Sequence, residues 1–194
     1  MKMKKLGLLI FAASLAGQAL AVEVTAFDIG GVRLGMSPSE AKAALQAKCS
    51  RDHGKFDVTT VLTDNPYLPG KRYPQYMRCV ATGSETAVSM VAIPPGAIVV
   101  DRINYRMPWS QENEKALKES ALGKYGEPTN IVQMNSAPEW CDDPRPTWKG
   151  GPACNGTSGP SLRVVRTELI LLDPRYQQQV WDERKKKETV KPSL

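Results

Sequence analysis

The residues that could support acid–base or nucleophilic chemistry are few and lie far apart in the sequence. His53 is the only histidine, and it follows Asp52 in a polar segment. An aspartate beside a histidine orients the imidazole toward a serine nucleophile in many hydrolases. The Gly-x-Ser-x-Gly elbow that would present such a serine is absent from this sequence. We therefore interpret His53 as a solvated loop histidine and keep the catalytic role as the alternative.

Asp142 and Asp143 are adjacent acids in a loop-like stretch. A glycosidase needs two carboxylates roughly 5–10 Å apart on rigid elements, and neighbouring loop residues point in different directions. A calcium loop needs oxygen ligands at alternating positions, which this pair does not supply. Phosphate-binding glycine loops and dinucleotide fingerprints are also missing. We predict a protein that is not an enzyme and that uses no cofactor or metal.

Candidate binding residues concentrate in the segment 139–160, which is rich in proline and glycine and carries two tryptophans. A loop of this length in a compact domain is typically functional or disordered. Trp148 and Arg145 are residue types that dominate binding hot spots, whereas Trp140 adjoins a cysteine and fits a packing role as well as a binding one. A second candidate contact segment, residues 64–74, supplies Tyr67, Arg72 and Tyr73.

Residues 1–21 have the three parts of a secretory signal peptide. A positively charged start is followed by an apolar run from Leu6 to Ala16 and by the cleavage motif Ala19-Leu20-Ala21. The apolar run is shorter than the ~20 residues of a membrane span. We predict cleavage after Ala21 and a periplasmic protein with no transmembrane segment, the alternative being an uncleaved N-terminal anchor.

All four cysteines lie after this leader, at Cys49, Cys79, Cys141 and Cys154. An even number of cysteines in an oxidising compartment predicts two disulfides, for which three connectivities are possible. We favour Cys49–Cys79 with Cys141–Cys154, because each bridge closes a loop within one half of the chain. The spacings and the single histidine argue against a zinc site.

The basic charge of the chain is concentrated at its two ends. The whole sequence has 26 basic and 20 acidic residues, and residues 1–21 hold three lysines and no acid, which leaves 23 against 20. Residues 184–191 hold five basic residues and one acid, so the remaining body has a net charge of −1. Nucleic-acid binding needs a basic face on the folded body, and we predict none. The tail could make weak contact with an anionic surface, although a solvated helix end is the simpler interpretation.

The stretch 27–49 predicts a short strand, a glycine turn and a well-capped helix. Ser37 suits the N-cap, Pro38 suits the first helical position, and Glu40 can complete a capping box. One apolar face follows at three- to four-residue spacing, formed by Ala41, Ala44, Leu45 and Cys49.

Turn residues and hydrophobic alternation divide the rest of the chain into two similar halves. In the first half we predict strands at 56–63, 76–82, 86–93 and 98–107, with an exposed loop at 64–74. In the second half we predict a helix from the Ser110 cap to Gly126, a strand at 129–134, an irregular stretch at 135–160, one central strand at 161–172 and a last helix at 174–188.

This order predicts an α+β fold. Two tandem helix-then-antiparallel-strands halves would form one sheet with helices on one side, plus a C-terminal helix. The expected parts are a signal peptide (1–21), a first half (22–108), a second half (109–172) and a C-terminal helix with a basic tail (173–194).

Two stretches resemble a group of small periplasmic proteins. Gly31-Val32-Arg33-Leu34-Gly35-Met36-Ser37-Pro38-Ser39-Glu40 is similar to the start of the helix in modules related to the β-lactamase-inhibitor protein and to the small lipoprotein of the outer-membrane assembly machinery. Lys124-Tyr125-Gly126-Glu127-Pro128 is similar to their joint between helix and strand. The resemblance implies a tandem α-β repeat whose concave sheet binds another protein. The lipidation cysteine is missing here, and no inhibitor contact residues match.

These observations together predict a periplasmic protein-binding module. Its partner would be another protein of the envelope or a delivered toxin, and the module would act as an inhibitor or an immunity protein. A structural or assembly factor of the cell envelope is the alternative, and a hydrolase of envelope polymers is a third hypothesis. The predicted contacts are made by the loop 139–160 and by the sheet face that the helices leave uncovered.

Overall fold

A computed structural model describes residues 23–58, 62–132, 137–146, 152–154 and 156–188. The predicted signal peptide, Trp148 and the last six residues of the tail lie outside the described residues. The helices are α1 (Pro38–Arg51), α2 (Gln111–Tyr125) and α3 (Pro174–Glu188). The strands are β1 (Asp28–Ile29), β2 (Val32–Arg33), β3 (Lys55–Val58), β4 (Leu62–Asp64), β5 (Arg72–Pro74), β6 (Tyr76–Ala81), β7 (Ser84–Ile93), β8 (Ala97–Arg106), β9 (Asn130–Val132), β10 (Ala137–Cys141), β11 (Arg145–Pro146), β12 (Pro152–Ala153), β13 (Ser161–Val165) and β14 (Glu168–Leu172).

The described residues form one large antiparallel sheet, in the order β3-β6-β7-β8-β14-β13-β10-β9. The first four strands come from the first half of the chain and the last four from the second half. The halves meet where β8 pairs with β14, with Ile103 opposite Leu171. The predicted α+β fold, with two halves in one sheet, is confirmed.

Helix α1 begins as the sequence predicts, because its first turn is stabilised by neighbouring residues. The Ser37 hydroxyl accepts a hydrogen bond from the Glu40 amide at 3.4 Å, and the Glu40 carboxylate accepts one from the Ser37 amide at 2.9 Å. This reciprocal pair is the predicted capping box. The helix then buries Ala41, Leu45 and Cys49 against the sheet.

Both favoured disulfide pairings are confirmed. Cys49 of α1 is joined to Cys79 of β6 with a Cα–Cα distance of 5.4 Å. Cys141, at the end of β10, is joined to Cys154 with a Cα–Cα distance of 5.6 Å. The first bridge holds a helix on the sheet, and the second closes the small β11–β12 hairpin onto the end of β10.

The predicted single strand at 161–172 is wrong, since β13 and β14 are two strands of a hairpin. Val165 pairs with Glu168 across a turn at Arg166 and Thr167. Arg166 has a φ of 54°, a left-handed conformation that turns usually reserve for glycine or asparagine. The turn is stabilised from outside it, because the Met107 amide donates to the Thr167 carbonyl oxygen at 3.0 Å.

Two segments that we predict to be irregular contain strands. The loop expected at 64–74 includes β5, which pairs with β4 in a separate hairpin where Arg72 contacts Asp64 at 3.1 Å. The stretch expected at 135–160 includes β10, which lies inside the main sheet between β13 and β9. Proline explains both errors. Pro74 and Pro138 lie within strands, where proline is normally disfavoured because it has no N–H to donate to a neighbouring strand.

Helix α3 contacts β7 and β8. Its start is held by the Asp173 carboxylate, which accepts from the Arg175 amide at 3.0 Å. The Gln177 amide group donates to the Asp101 carboxylate at 2.9 Å, and Val180 is buried. None of the helices in the described part of the chain combines the length and apolar character needed to cross a membrane.

Candidate functional site

The predicted binding loop is only partly described. Arg145 is exposed in β11, where it lies opposite Ala153 of β12. The loop is held to the body of the protein by the Cys141–Cys154 bridge and by Asp142, whose carboxylate accepts a hydrogen bond from the Val24 amide at 2.6 Å. Arg145 is therefore exposed on a short strand that lies close to the anchored end of the loop.

Trp140 has the surroundings of a core residue. Its side chain is 2% exposed, and its ring centroid lies 5.9 Å from that of Tyr125 in an edge-on contact. The indole N–H donates to the carbonyl oxygen of Gly126 at 3.3 Å. A residue buried in this way offers no surface to a partner of the folded protein.

The second predicted contact segment lies beside β7 and α3 and not beside the loop that carries Arg145. Tyr73 is buried, and its hydroxyl oxygen accepts from the Ala92 amide at 3.3 Å. Tyr67 is half-buried, with the Lys187 ammonium 5.5 Å from its ring centroid. Arg72 is exposed and donates to the Leu62 carbonyl oxygen at 2.7 Å. The predicted binding residues thus fall into two separate groups.

The candidate histidine lies in an exposed turn, and the two candidate acids accept hydrogen bonds from neighbouring groups of the loop and the N-terminal segment. His53 is exposed in the turn after α1, with a φ of 51°. Asp142 binds the Val24 amide, and the Asp143 carboxylate accepts from the Ser158 hydroxyl at 2.8 Å. Within the described ranges, no three histidine, cysteine or acidic side chains are grouped in a way that could hold a metal ion.

The sheet face opposite α1 and α2 is partly exposed, and its exposed side chains include Arg78, Arg102, Arg106 and Arg163. Side chains alternate along a strand, and Val88 and Ile103 are fully buried toward the helices, so the residues between them face the other way. Three rows of side chains cross this surface in register, and we call it the open face. The rows are Val80, Glu85, Arg106, Glu168 and Val165; Arg78, Ala87, Asn104, Ile170, Arg163 and Glu139; and Tyr76, Ser89, Arg102 and Leu172.

Arginines are the prominent charged residues of the open face. Arg78 contacts the Asp57 carboxylate at 3.1 Å, and Arg106 contacts the Glu85 carboxylate at 3.0 Å. Arg102 and Arg163 are exposed, and no carboxylate of the described residues lies within ion-pair distance of either. The open face therefore carries two guanidinium groups whose donors are available to a partner.

A groove of about 840 Å³ continues the open face at one end of the sheet. Val80 and Val165 are exposed in its wall, and Arg106 and Arg166 supply positive charge. Trp109 also lines it and is 68% exposed, a larger fraction than for any other large hydrophobic residue in the described ranges. Tryptophan and arginine around a central apolar contact are the composition of a binding hot spot.

The backbone that carries Trp109 is held on both sides. On the strand side, the Met107 amide donates to the Thr167 carbonyl oxygen at 3.0 Å. On the helix side, the Asn113 side chain donates to the Pro108 carbonyl oxygen at 2.8 Å, and the Asn113 amide donates to the Ser110 hydroxyl at 3.0 Å. The indole is thus exposed on a segment of fixed conformation.

Glu85 lines the groove and accepts hydrogen bonds from two neighbouring side chains. Its carboxylate accepts from the Tyr76 hydroxyl at 3.3 Å and from the Arg106 guanidinium at 3.0 Å. Partial burial of Tyr76, together with the negative charge of Glu85 and the hydrogen bond to it, raises the pKa of the Tyr76 hydroxyl above its usual value. The phenol therefore stays protonated at neutral pH and acts as a donor to Glu85.

Trp109 is not among the binding residues predicted from the sequence, although a local signal is present. Trp109 immediately precedes the N-cap Ser110, a position whose apolar residue usually packs on the fourth helical residue in a hydrophobic staple. That fourth residue is Glu114, which ion-pairs with Lys118 at 2.8 Å. A tryptophan without its apolar staple partner is a reason to expect an exposed indole.

The chain matches no family model, no curated protein and no solved structure with which it was compared.

Proposed function

We propose that this chain is a non-enzymatic protein-binding module of an oxidising compartment such as the bacterial periplasm. The observation that supports it best is the exposed indole of Trp109 on a backbone held from both sides. Two disulfides further stabilise the fold. Binding to a rigid surface requires little ordering of the module itself, which is how preorganisation increases affinity.

The proposed contact surface is the Trp109 groove with the adjoining open face. Trp109, Val80 and Val165 would form the apolar centre of the interface. The guanidinium groups of Arg106 and Arg166 would donate to carboxylates or backbone carbonyls of the partner around that centre. A protein partner with a protruding apolar side chain flanked by acids fits this surface, as expected for an inhibitor of an envelope enzyme or an immunity protein against a delivered toxin.

The experiment is a quantitative capture from envelope extract with the disulfide-bonded protein as bait. Trp109→Ala is the test variant, and Trp181→Ala is the matched control, since Trp181 is 59% exposed on α3 and does not line the groove. The partner is then purified, and its affinity is measured for all three proteins. We expect Trp109→Ala to weaken binding by about 30-fold or more, and Trp181→Ala to leave it unchanged.

Equal binding by both variants would remove the groove from the interface. Binding lost only on changing Arg145 or Trp148 would place the interface on the loop 139–160. The identity of the partner separates an inhibitor from an assembly factor, because an inhibitor lowers the activity of the enzyme it binds and an assembly factor does not.

A further inference from the structure

A second concave site lies on the other side of the sheet, between α1 and α2. It is a pocket of about 310 Å³, which we call the interhelix pocket. Its apolar lining comes from the sheet and from α2 and includes Tyr105, Met107, Leu117, Leu169 and Tyr125. Two of the residues with which α2 lines the pocket, Ala116 and Ser120, are small and exposed.

Two lysines from opposite helices line the pocket, Lys48 of α1 and Lys124 of α2. The Lys48 ammonium pairs with Asp52 and lies 5.5 Å from the centroid of the Tyr105 ring, and the residue is 8% exposed. The Lys48 stem crosses Gly30 so closely that a Cβ at Gly30 would collide with it. Lys48 is therefore held at the pocket wall by packing as well as by charge.

Lys124 is fixed on the other side. Its ammonium lies 3.0 Å from the Asp28 carboxylate and 5.2 Å from the centroid of the Tyr125 ring. Asp28 and Asp52 are absent from the lining, and no acidic side chain of the described residues lines the pocket. Two ion-paired ammonium groups thus border an apolar cavity whose lining contains no acidic side chain of the described residues.

We propose that the interhelix pocket binds a small unbranched monocarboxylate. The apolar chain would lie on Leu117, Leu169 and Tyr105, and the carboxylate would accept hydrogen bonds from the Lys48 and Lys124 ammonium groups. The volume is at the lower end of the roughly 300–1,000 Å³ range of ligand pockets, which matches a ligand on the order of ten non-hydrogen atoms. An anionic head group fits better than a neutral one, because each ammonium has three donors and can add a charge-assisted hydrogen bond to the one it makes with Asp52 or Asp28.

This site is separate from the proposed protein-binding groove, since Met107 is the single residue that lines both. Loss of ligand binding and loss of partner binding can therefore be measured independently of each other.

The test uses octanoate as the probe and 1-octanol as its neutral counterpart, with methyl NMR spectra of the full disulfide-bonded chain. Octanoate is expected to cause saturable shifts of the Leu117, Leu169 and Met107 methyl groups, with at least tenfold higher affinity than octanol. Ser120→Trp fills the mouth from an exposed helix position and is expected to abolish these shifts. Lys115→Trp, on the same helix but outside the lining, is the matched control and should preserve them.

Lys124→Met tests the charge without filling the pocket. It is expected to reduce octanoate affinity by about tenfold, to leave octanol affinity unchanged, and so to remove the preference for the acid. This variant also keeps the proposal testable if Ser120→Trp does not fold. The proposal is overturned if folded wild-type protein shows no saturable shifts of these methyl groups, if octanol binds as tightly as octanoate, or if Ser120→Trp binds octanoate like the control.

Discussion

The Tyr125 hydroxyl donates a hydrogen bond to the backbone carbonyl oxygen of Asp28, with an oxygen–oxygen distance of 2.6 Å. The Lys124 ammonium donates to the same carbonyl at 2.8 Å. The two bonds join the end of α2 to β1, so that the second half of the chain fixes the N-terminal segment of the first. The phenol remains a donor over the physiological range, because burial and the negative charge of Asp28 raise the pKa of Tyr125.

Replacing Tyr125 with Phe removes this donor and keeps the ring, which packs 4.6 Å from the centroid of Phe27. We expect the free energy of unfolding to fall by about 1 kcal/mol, measured by urea denaturation. The Asp28 carbonyl keeps its bond from Lys124, so the loss stays near the value of one hydrogen bond. Tyr76→Phe, which removes the 3.3 Å contact to Glu85 on the open face, serves as the control and should cost less. An unchanged unfolding midpoint in Tyr125→Phe would show that this bond contributes nothing.

Ionised Asp28 makes the stability of the fold depend on pH in the acidic range. Burial of its carboxyl opposes ionisation, but hydrogen bonds from Lys124 and from the Gly31 amide, with the charges of Lys124 and Arg33, outweigh burial and lower the pKa below the usual 3.8. A carboxylate whose pKa is lowered by folding stabilises the fold above its unfolded pKa and loses that contribution as pH falls through the folded pKa. The Asp28 contribution is therefore complete at neutral pH and is lost below about pH 4.

Asp28→Asn is expected to be less stable than wild type at neutral pH and to lose less stability on acidification. Urea midpoints measured from about pH 6 down to about pH 2 test this difference in slope. Some acid loss should remain in the variant, because hydrogen bonds from Ser37 also lower the pKa of Glu40. Parallel curves for the two proteins would contradict the assignment to Asp28.

Replacing Trp140 with Ala is expected to lower stability strongly. Replacing Trp109 with Ala is expected to weaken partner binding and to leave stability nearly unchanged. Trp140→Ala removes a side chain that is 2% exposed and should cost about 3–5 kcal/mol of unfolding free energy. Trp109→Ala removes one that is 68% exposed and should change stability by no more than about 0.5 kcal/mol. Denaturant unfolding of the two variants gives both values. A large stability loss in Trp109→Ala would mean that the indole packs on the body of the protein, and its effect on partner binding would then be indirect.

The two disulfides should contribute similar amounts to the free energy of unfolding, although their surroundings differ. The Cys49–Cys79 bridge spans a sequence separation of 30 and the Cys141–Cys154 bridge one of 13, and loop-closure entropy depends only logarithmically on this length. Replacing both cysteines of the first bridge with Ala should lower the free energy of unfolding by about 3.5 kcal/mol. The same change in the second bridge should lower it by about 3 kcal/mol. Unfolding of the two double variants beside wild type measures this. A loss of stability in only the first would indicate that the loop 139–160 is not coupled to global unfolding.

Features that depend on neighbouring residues can be predicted from the amino-acid sequence. The capping box at Ser37 and Glu40 needs only side chains three positions apart. The hairpin turn at Gly83, which has a φ of 77°, depends on a glycine at one position. The even number of cysteines predicted two disulfides with three possible connectivities, and the structure has the favoured one, in which each bridge lies within one half of the chain.

Features that depend on contacts between distant residues are seen only in the folded chain. Arg166 and Thr167 form a tight turn that is stabilised by a hydrogen bond from the Met107 amide to the Thr167 carbonyl oxygen. Arginine and threonine are not residue types from which a turn would be predicted. Trp140 is buried and Trp109 exposed because Tyr125 and the Gly126 carbonyl surround the first, while the staple position beside the second holds Glu114. Burial and cavity shape depend on which distant segments meet. The groove, the open face and the interhelix pocket therefore exist only once the two halves share one sheet.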